Sequence, residues 1–126
     1  MNAVPADLFF TPDHEWVSDP TGKVARVGVT AYAATALGDV VFIDLPAVGA
    51  VVAAGTECGE IESTKSVSPL FAPVSGVVTA VNEAVLDAPE TVSDDPFGAG
   101  WLFEVAPEGV AELLGPAAYA ALIEQG

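Results

Sequence analysis

The stretch "GEIESTKSVSPLF", residues 59–71, decides how the chain is read. At its centre is "ESTKSVS" (62–68), where Lys65 has only small, polar or acidic neighbours: Glu60, Glu62, Ser63, Thr64, Ser66 and Ser68. Strand-like segments flank them on both sides, so the pattern predicts a hairpin tip. A lysine there projects into solvent from a tight turn, open on all sides, as an enzyme that modifies an amine requires. The plain alternative is a solvated surface lysine paired with Glu62, worth about 0–1 kcal/mol. Lys65 is nevertheless one of only two lysines among 126 residues.

Outward from the hairpin, short runs rich in Val, Phe and Ile recur between turn residues. They predict strands near "EWVSD" (15–19), "VARVGVT" (24–30), "VVFIDL" (40–45), "AVVAAGTECGEIES" (50–63), "SVSPLFAP" (66–73), "GVVTAVN" (76–82) and "WLFEVA" (101–106). This is an antiparallel barrel or sandwich pattern. "TAYAATALG" predicts a short internal helix, capped by Thr30 and stopped by Gly38. The tail "PEGVAELLGPAAYAALIEQG" carries Val110, Leu113, Leu114, Tyr119, Leu122 and Ile123 at helical spacing. It predicts a helical segment over about residues 108–125, split at Gly115 and Pro116, with its apolar stripe buried on the sheets. A faint echo between "GDVVFI" and "GVVTAV" does not amount to a repeat. With no linker or low-complexity tract to divide it, the chain reads as a single domain over 1–126.

Asp and Glu number 18 against three basic residues, Lys23, Arg26 and Lys65, for a net charge of -15. That balance argues against nucleic-acid backbones and anionic membrane surfaces, and favours partners with basic surfaces. At 52% hydrophobic residues the chain can bury a core without disulfides. Cys58 is the sole cysteine and His14 the sole histidine, so neither a disulfide, a CxxC pair nor a zinc set can be assembled. "MNAVPADLFFTPDHEW" lacks a basic n-region and an Arg-rich amphipathic stretch, and no apolar run reaches the length of a membrane span. The expectation is a bacterial cytoplasmic protein, with a processed organellar form as the open alternative, monomeric, and with Cys58 a small hydrophobe in a strand.

No catalytic constellation emerges, since a lone histidine offers no Ser-His-Asp arrangement. A carrier needs none, because its cofactor brings the chemistry. "HEW" (14–16), "VGVTAYAATALGDVVFIDLPAVG" (27–49), "ESTKSVS" (62–68), "APVSGVVTAVNEAV" (72–85) and "DPFGAGWLFEV" (95–105) stand in order over about nine-tenths of the chain. Together they resemble the H proteins of the glycine cleavage system. The resemblance implies a mainly β, lipoyl/biotinyl-type flattened barrel-sandwich with a short internal helix and C-terminal helices. It also implies a non-catalytic carrier with lipoate in amide linkage on Lys65, and Gly76 matching the family's turn glycine. The implied partners are glycine decarboxylase (P protein), aminomethyltransferase (T protein), dihydrolipoamide dehydrogenase (L protein) and the lipoyl-attaching enzymes.

In such proteins the loaded arm folds back into a cleft, and Glu15 matches the family's acidic contact to it; otherwise Glu15 is a solvated strand residue. His14 and Trp16 read as structural, and Asp95–Trp101 as a turn plus a core aromatic. Many relatives carry an acid where this chain has Pro69, which leaves Asp13 as a substitute. Biotinyl carriers flank their lysine with methionine, whereas Lys65 lies between Thr64 and Ser66. A lipoyl domain of a larger acyltransferase would bring a Pro/Ala-rich linker. A lipoyl relay to other enzymes needs the same hairpin, so it stays open, as does a pure scaffold; an independent hydrolase built on His14 has little to support it.

Overall fold

A computed structural model describes residues 4–110 and 113–125. In chain order the elements are β1 Phe9–Phe10, β2 Glu15–Val17, β3 Ala25–Val29, α1 Ala31–Leu37, β4 Val40–Asp44, β5 Val51–Val52 and β6 Glu57–Ser63. They continue with β7 Val67–Phe71, β8 Val74–Val81, α2 Glu83–Asp87, α3 Glu90–Asp94, β9 Phe103–Val110 and α4 Pro116–Gln125. The fold is mainly β, as the strand pattern predicts. It consists of two open antiparallel sheets, one six-stranded in the order β1-β2-β3-β9-β8-β5 and one three-stranded in the order β4-β6-β7.

Alternating apolar positions explain the sandwich. Val17, Ala25, Val27, Val74, Val78, Phe103 and Val105 of the larger sheet share one buried cluster with Val40, Ile43, Ile61 and Leu70 of the smaller. A second cluster, Phe10, Trp16 and Tyr119, seats α4 on β1 and β2, with Phe10 and Tyr119 stacked at 4.6 Å. The indole N–H of Trp16 donates to the Pro96 carbonyl at 2.9 Å, so the buried ring leaves no orphan donor. Trp101, expected in the core, is only partly buried, and its ring lies under the Arg26 guanidinium at 4.4 Å.

The internal helix forms where its caps predict it. Thr30 Oγ1 accepts the Ala33 N–H at 3.2 Å, and the Gly38 N–H closes the last turn on Ala34 O at 3.1 Å. Elsewhere the structure differs from the sequence reading. The run 50–63 is two strands, β5 and β6, because a turn at Ala53–Thr56 intervenes, closed by the Thr56 N–H on Ala53 O at 3.0 Å. Helices α2 and α3 were not expected; each buries one valine completely, Val85 and Val92. The predicted helix from about residue 108 gives way to strand: Ser75 pairs with Gly109 and Val74 with Val110, so β9 runs to Val110 and helix resumes only at Pro116. Residues 111–112 of that predicted segment, and 1–3 and 126 at the two ends of the chain, lie outside the described residues. Among the described residues no helix is long and apolar enough to cross a membrane.

Candidate functional site: a lysine-tipped hairpin beside a cleft

Strands β6 and β7 are joined through Thr64, Lys65 and Ser66, all exposed, with Thr64 and Lys65 at the tip between Ser63 and Ser66. The Ser63 N–H donates to Ser66 O at 2.8 Å. A tight two-residue loop closes best with one or both central residues at positive φ, yet His14 is the one non-glycine at positive φ among the described residues. The side chain of Ser63 makes up the difference. Its Oγ accepts the Ser66 N–H at 3.2 Å and the Lys65 N–H at 3.3 Å, satisfying the tip locally. Thr64 is tied across to Asp39 O at 3.1 Å, which moors the tip to the end of α1.

Among the described residues Lys65 makes no salt bridge and the pairing with Glu62 is not formed; the ion pair found there is Arg26–Glu104 at 2.9 Å. The Lys65 stem instead crosses Gly38, where an added Cβ would lie 3.5 Å from Cε. An added Cβ at position 38 would therefore touch the root of the arm only at ordinary van der Waals distance.

Beside this tip opens a cleft of about 260 Å³. Val29 of β3 and Tyr32, Ala33, Ala36 and Leu37 at α1 form one part of its wall, and Ile61, Ser66, Ser68, Pro69 and Leu70 of the hairpin another. Asp13, His14 and Glu15 complete it. Lys65 is not in the lining, but its neighbour Ser66 is. The mostly apolar walls with a few convergent polar groups are those of a small-molecule site.

The β1–β2 connection places the three polar residues. Phe10 pairs with Trp16, the Thr11 N–H donates to Glu15 O at 2.9 Å, and the His14 N–H closes a turn on Thr11 O at 3.0 Å. That is a three-residue hairpin loop, with Pro12 at its first position and His14 in the left-handed conformation at φ 69°. His14 is held there by stacking on Tyr32 at 4.6 Å and by a 2.8 Å hydrogen bond between Nδ1 and the Tyr119 hydroxyl. Tyr119 also bonds Thr30 Oγ1 at 2.7 Å, joining α4, the α1 cap and the cleft wall. Desolvation lowers the His14 pKa, partly opposed by Asp13.

Glu15 is not a solvated strand residue: it is 2% exposed. Thr11 Oγ1 donates to its Oε1 at 2.7 Å, and the Phe71 N–H donates to Oε2 at 3.2 Å. Burial pushes its pKa up to about 7; the Thr11 and Phe71 hydrogen bonds oppose the rise and Asp13 adds to it. Because the folded pKa lies above the unfolded one, the folded chain holds the extra proton between pH 4.5 and about 7. The stabilisation from Glu15 is complete below pH 4.5 and is lost as pH rises through about 7. The stability advantage of wild type over Glu15→Gln should shrink by about 3 kcal/mol across that window. Urea titrations of both proteins at pH 4.5 and 8 measure it; parallel pH profiles would contradict the burial account.

Asp13 lines the cleft near Glu15, while Pro69 brings no charge to the opposite wall. Cys58 is partly buried against the core, its thiol pushed up to about 12 by desolvation, with Glu15 and Glu57 adding to the rise. Gly76 lies inside β8, at a register shift against β9, rather than in a turn. Thr11 and Tyr32 escaped the sequence reading, which places Tyr119 only in a buried helical stripe and does not make it a partner of His14. A signal for Thr11 does exist in "TPDH", where a turn-forming Thr-Pro-Asp stands four residues ahead of Glu15.

The comparisons with known proteins agree with this geometry. The family model for the glycine cleavage H-protein matches residues 8–125. The chain is 61% identical over 120 residues to the glycine cleavage system H protein of Beutenbergia cavernae, covering 95% of this chain and 96% of that protein. The chain belongs to the glycine cleavage H-protein family. Its identity to the H protein of Thermobifida fusca is 53% over 123 residues, 97% of each chain. The crystal structure of a glycine cleavage system H protein from Mycobacterium marinum superposes with a TM-score of 0.92 at 48% identity, covering 96% of this chain and 99% of that one. The family is the lipoyl-carrying shuttle of the glycine cleavage system, and these relatives favour neither the biotinyl-carrier nor the lipoyl-relay alternative.

Proposed function

We propose that this chain carries lipoate in amide linkage on Lys65 and shuttles the aminomethyl group from glycine decarboxylase (P protein) to aminomethyltransferase (T protein). Dihydrolipoamide dehydrogenase (L protein) and a lipoyl-attaching enzyme are its other partners, and the bacterial cytoplasm is its place of work. The observation that carries this reading is an exposed lysine at a hairpin tip, free of any salt bridge among the described residues and rooted beside an apolar cleft.

The residues fit the group. When bound, lipoate supplies a dithiolane whose sulfurs accept the one-carbon unit and are later reoxidised. Lys65 provides the tether and loses its charge on acylation. Val29, Leu37, Ile61 and Leu70 give the cleft apolar walls that keep water out. Glu15 offers carboxylate oxygens to a cationic amine, and Asp13 adds negative potential beside it. The protein performs no bond-breaking of its own.

Intact mass and peptide mapping test the assignment in lipoate-fed cells that express a lipoate ligase. A single lipoyl adduct on Lys65 is expected. An adduct on Lys23, or none beside a lipoylated control acceptor, would overturn it.

The net charge of -15 predicts charge-steered docking. Association with the decarboxylase should slow about tenfold or more as salt rises from about 0.01 M to about 1 M, where the Debye length falls from about 30 Å to about 3 Å. Stopped-flow rates that ignore salt would rule steering out.

A further inference from the structure

We propose that Thr11 is the positioning residue for Glu15, fixing its carboxylate at the wall of the cleft and favouring the anion over the neutral acid. This inference rests on the reading of Glu15 as the cleft's acceptor for a cationic amine. Thr11 does not line the cleft and is 5% exposed, so it acts only through Glu15.

Three contacts fix the pair. The Thr11 hydroxyl donates to Glu15 Oε1 at 2.7 Å, Thr11 Oγ1 accepts the Glu15 N–H at 3.2 Å, and the Thr11 N–H donates to Glu15 O at 2.9 Å. The Phe71 N–H occupies Oε2. Thr11 can also accept from a protonated Glu15, but a hydrogen bond to the carboxylate is charge-assisted and about twice as strong. Its net effect therefore favours the anion. That matters here because burial disfavours the anion and Pro69 leaves the opposite wall uncharged. The ionisable groups facing or flanking Glu15 are Asp13 and His14 from its own loop, Cys58 from β6, Tyr32 at α1 and Tyr119 from α4. Asp13, its charged neighbour on the loop, opposes ionisation. Thr11 and the Phe71 N–H are the two groups whose contact lowers the Glu15 pKa.

The test uses full-length lipoylated protein with Thr11→Val, which keeps the shape and removes the hydroxyl, Thr11→Ala as a smaller replacement, and Thr11→Ser, which restores it. Carbon-13 NMR of the Glu15 carboxyl is expected to show a midpoint near 7 in wild type and Ser. In Val and Ala it should rise by about one pH unit. A second readout is release of the carried one-carbon unit as formaldehyde at pH 7 from protein loaded by the decarboxylase. It should quicken several-fold in Val and in Glu15→Gln, with the Thr11→Val/Glu15→Gln double variant no faster than Glu15→Gln alone. An unmoved midpoint in Val or Ala, or equal acceleration by Val with and without Glu15, overturns the role of Thr11 alone. Unchanged release in Glu15→Gln overturns the reading of Glu15 and this inference with it.

Discussion

Replacing Lys65 by alanine should reduce glycine-dependent turnover, reconstituted with the P, T and L proteins, to background while leaving the fold intact. Lys65 is exposed, and its fixed contact is a backbone N–H to Ser63 Oγ that alanine keeps. A surface change of this kind stays within about 0.5 kcal/mol in stability. Lys65→Arg should fail equally, because it retains a positive charge but offers no amine that can be acylated. Free lipoamide at micromolar concentration should not rescue either variant, since a short tether supplies an effective concentration on the order of millimolar. The built-in control is Lys23, the other lysine, also exposed but in the β2–β3 connection and absent from the cleft lining. Lys23→Ala should retain full turnover. Activity surviving in Lys65→Ala and vanishing in Lys23→Ala would relocate the attachment site.

The contrast between those two lysines shows what could be learned before any fold was known. Small neighbours and flanking strands mark the Lys65 hairpin because a tight turn is a local object, written in consecutive residues. The same holds for α1, whose Thr30 and Gly38 bound it within nine residues. Helices α2 and α3 are five residues each, too short to hold without tertiary support, and exist because Val85 and Val92 are buried beneath them. Asn82, whose side chain accepts the Ala84 N–H at 3.2 Å, was a cap signal left unused. "PEGV" at 107–110 reads as the start of a helix in isolation, but β8 supplies partners more than thirty residues away that extend it as strand. Glu15 illustrates the same limit at the site. Sequence convention puts a strand glutamate in water, and only the Phe71 N–H, 56 positions along the chain, together with Thr11, makes its burial tolerable.

Gly76→Ala should be far more damaging than Gly49→Ala, although both glycines sit at positive φ, 151° and 92°. At Gly49 nothing lies within 4 Å of an added Cβ, so alanine costs only the backbone preference, about 1–2 kcal/mol. At Gly76 the Cβ would collide with the Ala106 carbonyl oxygen and come within 2.9 Å of Val105 Cγ1. A carbonyl within a paired strand cannot rotate aside as a flexible side chain can. Gly76 faces Pro107, which has no N–H to give the ladder, at a point where the β8–β9 register shifts between Ser75 and Gly76. Relief would have to come from opening this pairing, which joins β8 to the rest of the larger sheet through β9. The expected loss is about 3–5 kcal/mol, a fall in Tm of roughly 10 °C or more. Thermal and urea unfolding of the two variants side by side separate the causes. Equal losses would mean that the bulge relaxes and that backbone preference alone governs both positions; a larger loss at Gly76 assigns the excess to the close approach of β8 and β9.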